Sequence, residues 1–128
     1  ANINPQFNDI GTQLYNHYYQ TFDTNRPGLV GLYGDTSMMT FEGEQFQGAQ
    51  GIVQKIVALP FTTVQHQVIK ADIQPNPGNG GIIVFVTGSL IVDGGVATPL
   101  KFAQVFHLAP TPAGSWFIQN DMFRLNIG

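Results

Sequence analysis

Apolar and polar residues alternate with a period of two over the stretch from Leu100 to Pro110. Every second position gives a face that is almost entirely apolar, made of Leu100, Phe102, Gln104, Phe106 and Leu108. Pro99 and Pro110 stand at the two ends, where a missing backbone donor does least harm to a sheet. The pattern therefore predicts a strand over Leu100–Pro110.

Three further β-like stretches flank this strand: Phe61–Gln74, Gly81–Asp93 and Ser115–Ile127. The segments between them are rich in glycine and proline, which is typical of turns. The sequence thus predicts four long antiparallel strands in a meander. Strands of this length exceed the usual size and must twist and curl strongly.

The part of the chain before these strands has helical spacing. Asn4 and Pro5 are typical of a helix cap and a first helical residue. Apolar residues then recur at intervals of three and four as far as Phe22, which predicts an amphipathic first helix. Two shorter helices are predicted, one over Arg26–Tyr33 and one over Gly48–Leu59. Between them, Ser37–Phe41 and Glu44–Gln47 flank the turn residues Glu42 and Gly43 and predict a hairpin.

Helices followed by a run of antiparallel strands are typical of an α+β fold. We expect a single domain over residues 1–128, with three helices packed on a strongly curved, mainly antiparallel sheet to form a cone with a pocket at its open end. The helices can cover only one sheet face, and both faces hold apolar residues. The uncovered face would hold Val84, Val86, Val105, His107 and Phe117, or their alternates. A second copy of the same face is the expected cover, so the sequence predicts a homodimer.

Composition excludes several classes of function. The 128 residues carry a net charge of -3, and the five basic residues are scattered, which argues against nucleic-acid binding. The absence of cysteine excludes disulfides and thiolate metal sites. No apolar run has the length of a membrane span, and the first residues lack the pattern of a signal peptide. We therefore expect a soluble intracellular protein without membrane insertion.

The residues that could act as acids or bases are Glu42, Asp72, Asp93, Asp121, His66 and His107. No catalytic triad, phosphate-binding loop or metal-ligand spacing connects them, so we assign no catalytic residue, metal or cofactor. Each histidine is most simply interpreted as a core residue satisfied by a hydrogen bond. Glu42 follows the aromatic Phe41. It is either an ordinary turn residue or a charged residue at the rim of an apolar cavity. Asp93 is most simply a turn former.

Several ordered motifs resemble the nuclear transport factor 2 family. They run from the first helix to the last predicted strand, at matching spacing: HYYQTFDTNR (17–26), MTFEG (39–43), FQGAQGIVQKIVALPF (46–61), QVFHL (104–108) and NDMFRLN (120–126). The resemblance implies a homodimeric carrier that binds the small GTPase Ran in its GDP form and the phenylalanine-glycine repeats of nucleoporins. It also implies a location in the cytoplasm, the nucleus and the nuclear pore.

The resemblance further implies which residues bind. An aromatic side chain of Ran would enter a cavity involving Phe41, Leu59, Val64 and Phe123. Basic residues of Ran would pair with rim carboxylates, here Glu42 and Asp93. Phe7 would bind the nucleoporin repeats. Gly95 is a departure, because related sequences carry an additional acidic residue there.

Two alternatives remain open at this point. The same fold is shared by small isomerases and dehydratases, in which Glu42 or a histidine would act as a base on an apolar substrate. The chain could also resemble the small adaptor subunit of messenger RNA export, which pairs with a different chain rather than with itself. Self-association separates the adaptor from the carrier, and turnover on a ring ketone would favour the enzyme.

Overall fold

The computed structural model describes residues 3–126 of the chain. Its helical elements are α1 (Phe7–Thr24), a 3₁₀ helix (Arg26–Leu32) and α2 (Ala49–Val57). Its strands are β1 (Tyr33–Phe41), β2 (Glu44–Gln47), β3 (Val64–Asn76), β4 (Gly81–Val92), β5 (Leu100–Pro110) and β6 (Trp116–Leu125). Within these residues, neither α-helix has the length and apolar composition to cross a membrane.

The predicted helices exist, with corrections at their ends. Helix α1 begins at Phe7 rather than at Pro5: Pro5 and Gln6 form a turn, and the Asn4 side chain caps that turn by accepting a hydrogen bond from the Gln6 backbone N–H at 2.8 Å. The second helix is a 3₁₀ helix and β1 starts directly after it. Helix α2 begins at Ala49, since Gly48 has a positive φ of 82° that a helix cannot contain.

The sheet has six strands in the order β2-β1-β6-β5-β4-β3. The meander from β3 to β6 is antiparallel throughout, as predicted, and β5 has the predicted bounds. The β1–β2 hairpin turns at Glu42 and Gly43, which both have positive φ. The parallel pairing of β1 with β6 was not predicted, and it makes the sheet mixed. The predicted end of the last strand, Ile127, lies outside the described residues.

The helices cover one face of the sheet. On β5 this face is the predicted apolar one, in which Phe102, Gln104, Phe106 and Leu108 are buried. Val84 and Val86 are fully buried on this covered face, which decides between the two arrangements that the sequence left open for β4. The open face instead holds their alternates, since Phe85 is paired with Val105 and Val105 with Met122.

The curl of the sheet has a local cause on β3 and β4. The register between these strands shifts between Val68 and Lys70, and such a bulge bends and twists a strand. Gly88 lies opposite, and a Cβ atom there would overlap the carbonyl oxygen of Gln67. Only glycine permits this close backbone approach. The bend lets the sheet wrap around the helices and leaves a space at one edge.

Candidate functional site

An apolar cavity of about 270 Å³ lies at one edge of the sheet. Strands β1, β4 and β6 end at this edge, and β3 and β5 begin there. Each strand contributes a lining side chain near that end: Phe41, His66, Val92, Leu100 and Phe123. Helices α1 and α2 add Tyr18, Phe22 and Ile56. Tyr18, His66 and Gln104 are the polar members of an otherwise apolar lining.

One wall of the cavity is a stack of aromatic rings. The rings of Phe41 and Phe123 lie parallel, with centroids 4.7 Å apart and an interplanar angle of 5°. Phe102 continues the stack behind Phe123, at 5.6 Å and 19°. The Nζ atom of Lys55 lies 5.8 Å from the centroid of Phe41 and 3.3 Å from Glu44 Oε1. Phe41 and Phe123 line the cavity and Phe102 packs behind them, so this wall is aromatic and suits another aromatic ring.

Arg26 fixes a second wall, formed by the segment after α2. Its guanidinium donates hydrogen bonds to the backbone oxygens of Ile56 (3.2 Å) and Phe61 (3.1 Å). It also lies 4.8 Å from the centroid of the Phe61 ring. Leu59, Pro60 and Phe61 of this segment all line the cavity. The Arg26 contacts thus fasten a loop that has no regular secondary structure of its own.

Two exposed carboxylates, Glu42 and Asp93, flank the cavity lining. Both residues have positive φ, 52° and 51°, so they occupy turn positions that usually favour glycine. Glu42 Oε1 accepts a hydrogen bond from the Leu125 backbone N–H at 2.5 Å. Asp93 Oδ1 accepts hydrogen bonds from Thr62 N–H and Thr63 N–H at 2.8 and 2.9 Å. Within residues 3–126 the second oxygen of each carboxylate makes no hydrogen bond, so each anchored side chain still offers a free acceptor.

His66 and Asp23 form a hydrogen-bonded pair inside the fold. Asp23 accepts hydrogen bonds from both the backbone N–H of His66 (2.8 Å) and its ring Nδ1 (2.5 Å). The His66 side chain is only 2% exposed, and its ring stacks on Tyr19 with centroids 4.5 Å apart. The carboxylate therefore fixes the orientation of a ring that lines the cavity.

A buried hydrogen-bond network lies behind the polar part of the lining and centres on Asp121, which is fully buried. Asp121 accepts hydrogen bonds from the Tyr33 hydroxyl at 2.7 Å and from Gln104 Nε2 at 2.8 Å, and Tyr18 OH lies 3.4 Å away. Burial raises the pKa of Asp121 from 3.8 to about 6, although the hydrogen bonds from Gln104, Tyr33 and Tyr18 act in the opposite direction. Burial likewise raises the pKa values of Tyr18, Tyr19 and Tyr33.

A comparison with protein families identifies the family of this chain. The model of the nuclear transport factor 2 (NTF2) domain matches residues 10–125. The chain belongs to the nuclear transport factor 2 family. This confirms the resemblance carried by the sequence motifs.

Similar proteins cover nearly the whole chain. A nuclear transport factor 2 of Oryza sativa subsp. japonica is 54% identical over 119 residues, which are 93% of this chain and 96% of that protein. Nuclear transport factor 2B of Arabidopsis thaliana is 53% identical over 117 residues, 91% of this chain and 92% of that protein. The solved structure of nuclear transport factor 2 from Cryptosporidium parvum is 55% identical, covers 97% of this chain and 98% of its own, and superposes with a TM-score of 0.91.

The structure brings most of the predicted family residues together. Phe41, Leu59 and Phe123 line the cavity. Val64 does not. It is 9% exposed and packs in the core, while His66, two residues further on the same face of β3, takes the place at the cavity. Phe7 is half-buried at the start of α1, and the lining residue Phe22 is 15 residues further along that helix, about 22 Å at the usual rise.

The remaining candidate acids and bases lie elsewhere. His107 is on the open face of the sheet, where its ring nitrogens contact Asn79 Nδ2 (3.1 Å) and Asn120 Oδ1 (2.9 Å). Asp72 is exposed on the same face, opposite Phe85. Among residues 3–126, no group of three or more histidine, aspartate or glutamate side chains comes together that could hold a metal. Sequence reasoning missed the contacts of Arg26 and of Asp23, although both residues fall within the motif at 17–26.

Proposed function

We propose that this protein is a carrier, not an enzyme, that binds Ran-GDP at the cavity and its rim and takes it from the cytoplasm through the nuclear pore into the nucleus. The proposal rests on the geometry of the cavity and its rim, in a chain that belongs to the nuclear transport factor 2 family. An apolar cavity with an aromatic wall stands beside two anchored carboxylates that each keep one free oxygen.

The cavity supplies the affinity in this proposal. An inserted aromatic side chain would bury roughly 150–250 Å². At roughly 25 cal/mol per Å², this corresponds to about 4–6 kcal/mol before the costs of association. One anchor of this kind is enough to dominate a small interface. The ring would lie against the Phe41–Phe123 stack, whose geometry is already formed in the free protein.

The rim supplies orientation and specificity. Basic side chains next to the inserted aromatic would pair with the free oxygens of Glu42 and Asp93. Because backbone N–H groups already hold both carboxylates, little side-chain entropy remains to be lost on pairing. Selectivity for the GDP form follows from the partner, since γ-phosphate contacts order a GTPase switch segment that must be free to insert.

Substitutions that remove only the charge test this proposal. Glu42→Gln and Asp93→Asn keep an oxygen that accepts the backbone hydrogen bonds and remove the negative charge. We expect each to weaken Ran-GDP binding several-fold at low salt, with a smaller loss at high salt and an unchanged melting temperature. Asp9→Asn is the matched control, because Asp9 is an exposed acid in the first turn of α1. Equal binding of the parent to Ran-GDP and Ran-GTP, or equal losses in all three variants, would contradict the proposal.

The open face of the sheet supports a homodimer. Ile83, Phe85 and Met122 are 37%, 41% and 52% exposed there, although they are large apolar side chains in the middle of strands. Val105 lies between Phe85 and Met122 in the strand register, so the apolar area is continuous across three strands. Exposed areas of this kind mark interfaces. We propose that a second copy covers this face and leaves the cavity, on the helix side, open.

Phe7 is the proposed contact for phenylalanine-glycine repeats. It is half-buried and lies toward the other end of α1 from the cavity. Gly11, one turn further along, packs on Ile73 and Val84, far along the sheet from the cavity edge at Val92. The repeat site and the Ran site are therefore separate in this proposal, which lets one carrier bind the pore and its cargo together.

A further inference from the structure

The cavity lining contains a polar atom that the carrier function does not use, the Nε2 atom of His66. The ring lines the cavity and its side chain is only 2% exposed. Within residues 3–126, Nε2 makes no hydrogen bond, whereas Nδ1 bonds to Asp23. Among the described residues, every fully buried side-chain nitrogen or oxygen has a hydrogen-bond partner. Because Nε2 has no partner, it must be accessible, and the space that this ring lines is the cavity.

The Asp23 carboxylate decides what Nε2 can bind. A carboxylate accepts hydrogen bonds and donates none, so Nδ1, which faces Asp23, carries the hydrogen. In the neutral imidazole the other nitrogen is then the acceptor. A ligand that satisfies Nε2 of the neutral ring must therefore bring a hydrogen-bond donor.

The rest of the cavity decides the shape of that ligand. His66 packs edge-on against Phe102 at 5.6 Å, and Phe102 continues through Phe123 to Phe41 in the aromatic stack. His66, Phe41 and Phe123 line the same cavity, so a ligand bonded to Nε2 lies beside its aromatic wall. An apolar cavity of about 150 Å³ holds one benzene. The present volume of about 270 Å³ suits a molecule of one or two fused rings.

We propose that the cavity is also a site for a small planar aromatic molecule with one hydroxyl donor, of the phenol or naphthol class. Its O–H donates to His66 Nε2 and its ring packs against Phe41 and Phe123. Such a molecule occupies the space proposed for the partner's aromatic side chain, so the two exclude each other. The site itself does not depend on the proposed function, because all of its groups belong to this chain.

A matched pair of ligands tests the donor directly. 2-Naphthol and 2-methoxynaphthalene share the same rings, and only the first has a donor. By calorimetry on the full chain, with no Ran present, we expect 2-naphthol to bind roughly five- to tenfold more tightly, as one hydrogen bond allows. His66→Phe keeps an aromatic ring and removes the acceptor, so the preference should disappear. His17→Phe, at an exposed position of α1, should retain it.

A measurement on the unmodified chain guards against a variant that fails to fold. The ¹⁵N resonance of His66 Nε2 should shift on addition of 2-naphthol and remain in place with 2-methoxynaphthalene. Equal affinity for both ligands, failure of 2-naphthol to bind, or a preference that survives in His66→Phe would each overturn the proposal. Naphthol binding without Ran binding would instead remove only the carrier function.

Discussion

The buried Asp121 carboxyl makes a quantitative prediction about stability and pH. Its pKa is about 6 in the folded protein against 3.8 for an ordinary aspartate, because burial disfavours the charged form. The folded state therefore binds the proton more tightly than the unfolded chain. The stabilisation by the protonated acid is fully present below about pH 4 and is lost as the pH rises through about 6.

The size of the effect follows from the difference between the two pKa values. About two pKa units correspond to roughly 3 kcal/mol, and most of this is lost between about pH 4 and about pH 7.5. Asp121→Asn cannot ionise and resembles the protonated acid in shape and hydrogen bonding. We therefore expect the free energy of unfolding of the variant, relative to the parent, to rise by about 2–3 kcal/mol over this range.

Urea unfolding of the parent and the variant at both pH values measures this difference. Both proteins must be at one concentration, because dimerisation would add to the apparent stability. Using the difference between the two proteins cancels the titration of all other groups. Asp35→Asn is the control, since it makes the same chemical change at an exposed position. A flat profile for Asp121→Asn, or a profile that falls as the pH rises, would refute the reasoning.

Three further predictions concern the proposed surfaces. Phe7→Ala should reduce binding to immobilised phenylalanine-glycine repeats and leave Ran-GDP binding nearly intact, and a parallel fall of both would show that the sites are not separate. Gly95→Asp adds an acid two residues after Asp93 and should raise the affinity for Ran-GDP a few-fold at about 50 mM salt and less at about 300 mM. A Cβ atom at Gly95 would lie 3.2 Å from Val92 O, so a lower melting temperature together with no gain would point to steric crowding against this carbonyl oxygen. Phe85→Lys should convert a sedimenting dimer into a monomer, whereas Val96→Lys, at a residue 72% exposed outside the sheet face, should not.

The long strands were predictable because one face of each is buried and the other is not. On β5, period-two alternation between two prolines gave the correct bounds. Strand β1 was predicted to begin at Ser37, whereas it begins at Tyr33 and is irregular between Tyr33 and Met38. Its main partner, β6, is distant in sequence, and a parallel pairing of this kind leaves no local turn signal.

The candidate site was predictable only as far as motifs extend. The motif matches gave Phe41, Leu59 and Phe123 as lining residues, and they also gave Val64, which the structure places in the core. The bond between Asp23 and His66 joins residues 43 positions apart, so no local pattern could reveal it. Asp121 was among the candidate acids, but its burial depends on tyrosines from α1 and β1 that only the folded chain brings together.

The parallel pairing of β1 with β6 also determines how late in synthesis β1 can join the sheet. Thr36 and Gln119, whose side chains bond across this pair, are 83 positions apart. At about 5–20 residues per second, a ribosome needs roughly 4–17 s to add the intervening chain. Throughout this interval the β1–β2 hairpin has no sheet to join, and a lone hairpin is marginally stable in water. Phe41 is therefore synthesised well before its stacking partner Phe123. Until β6 is made, the nascent chain exposes an apolar hairpin to which a chaperone can bind.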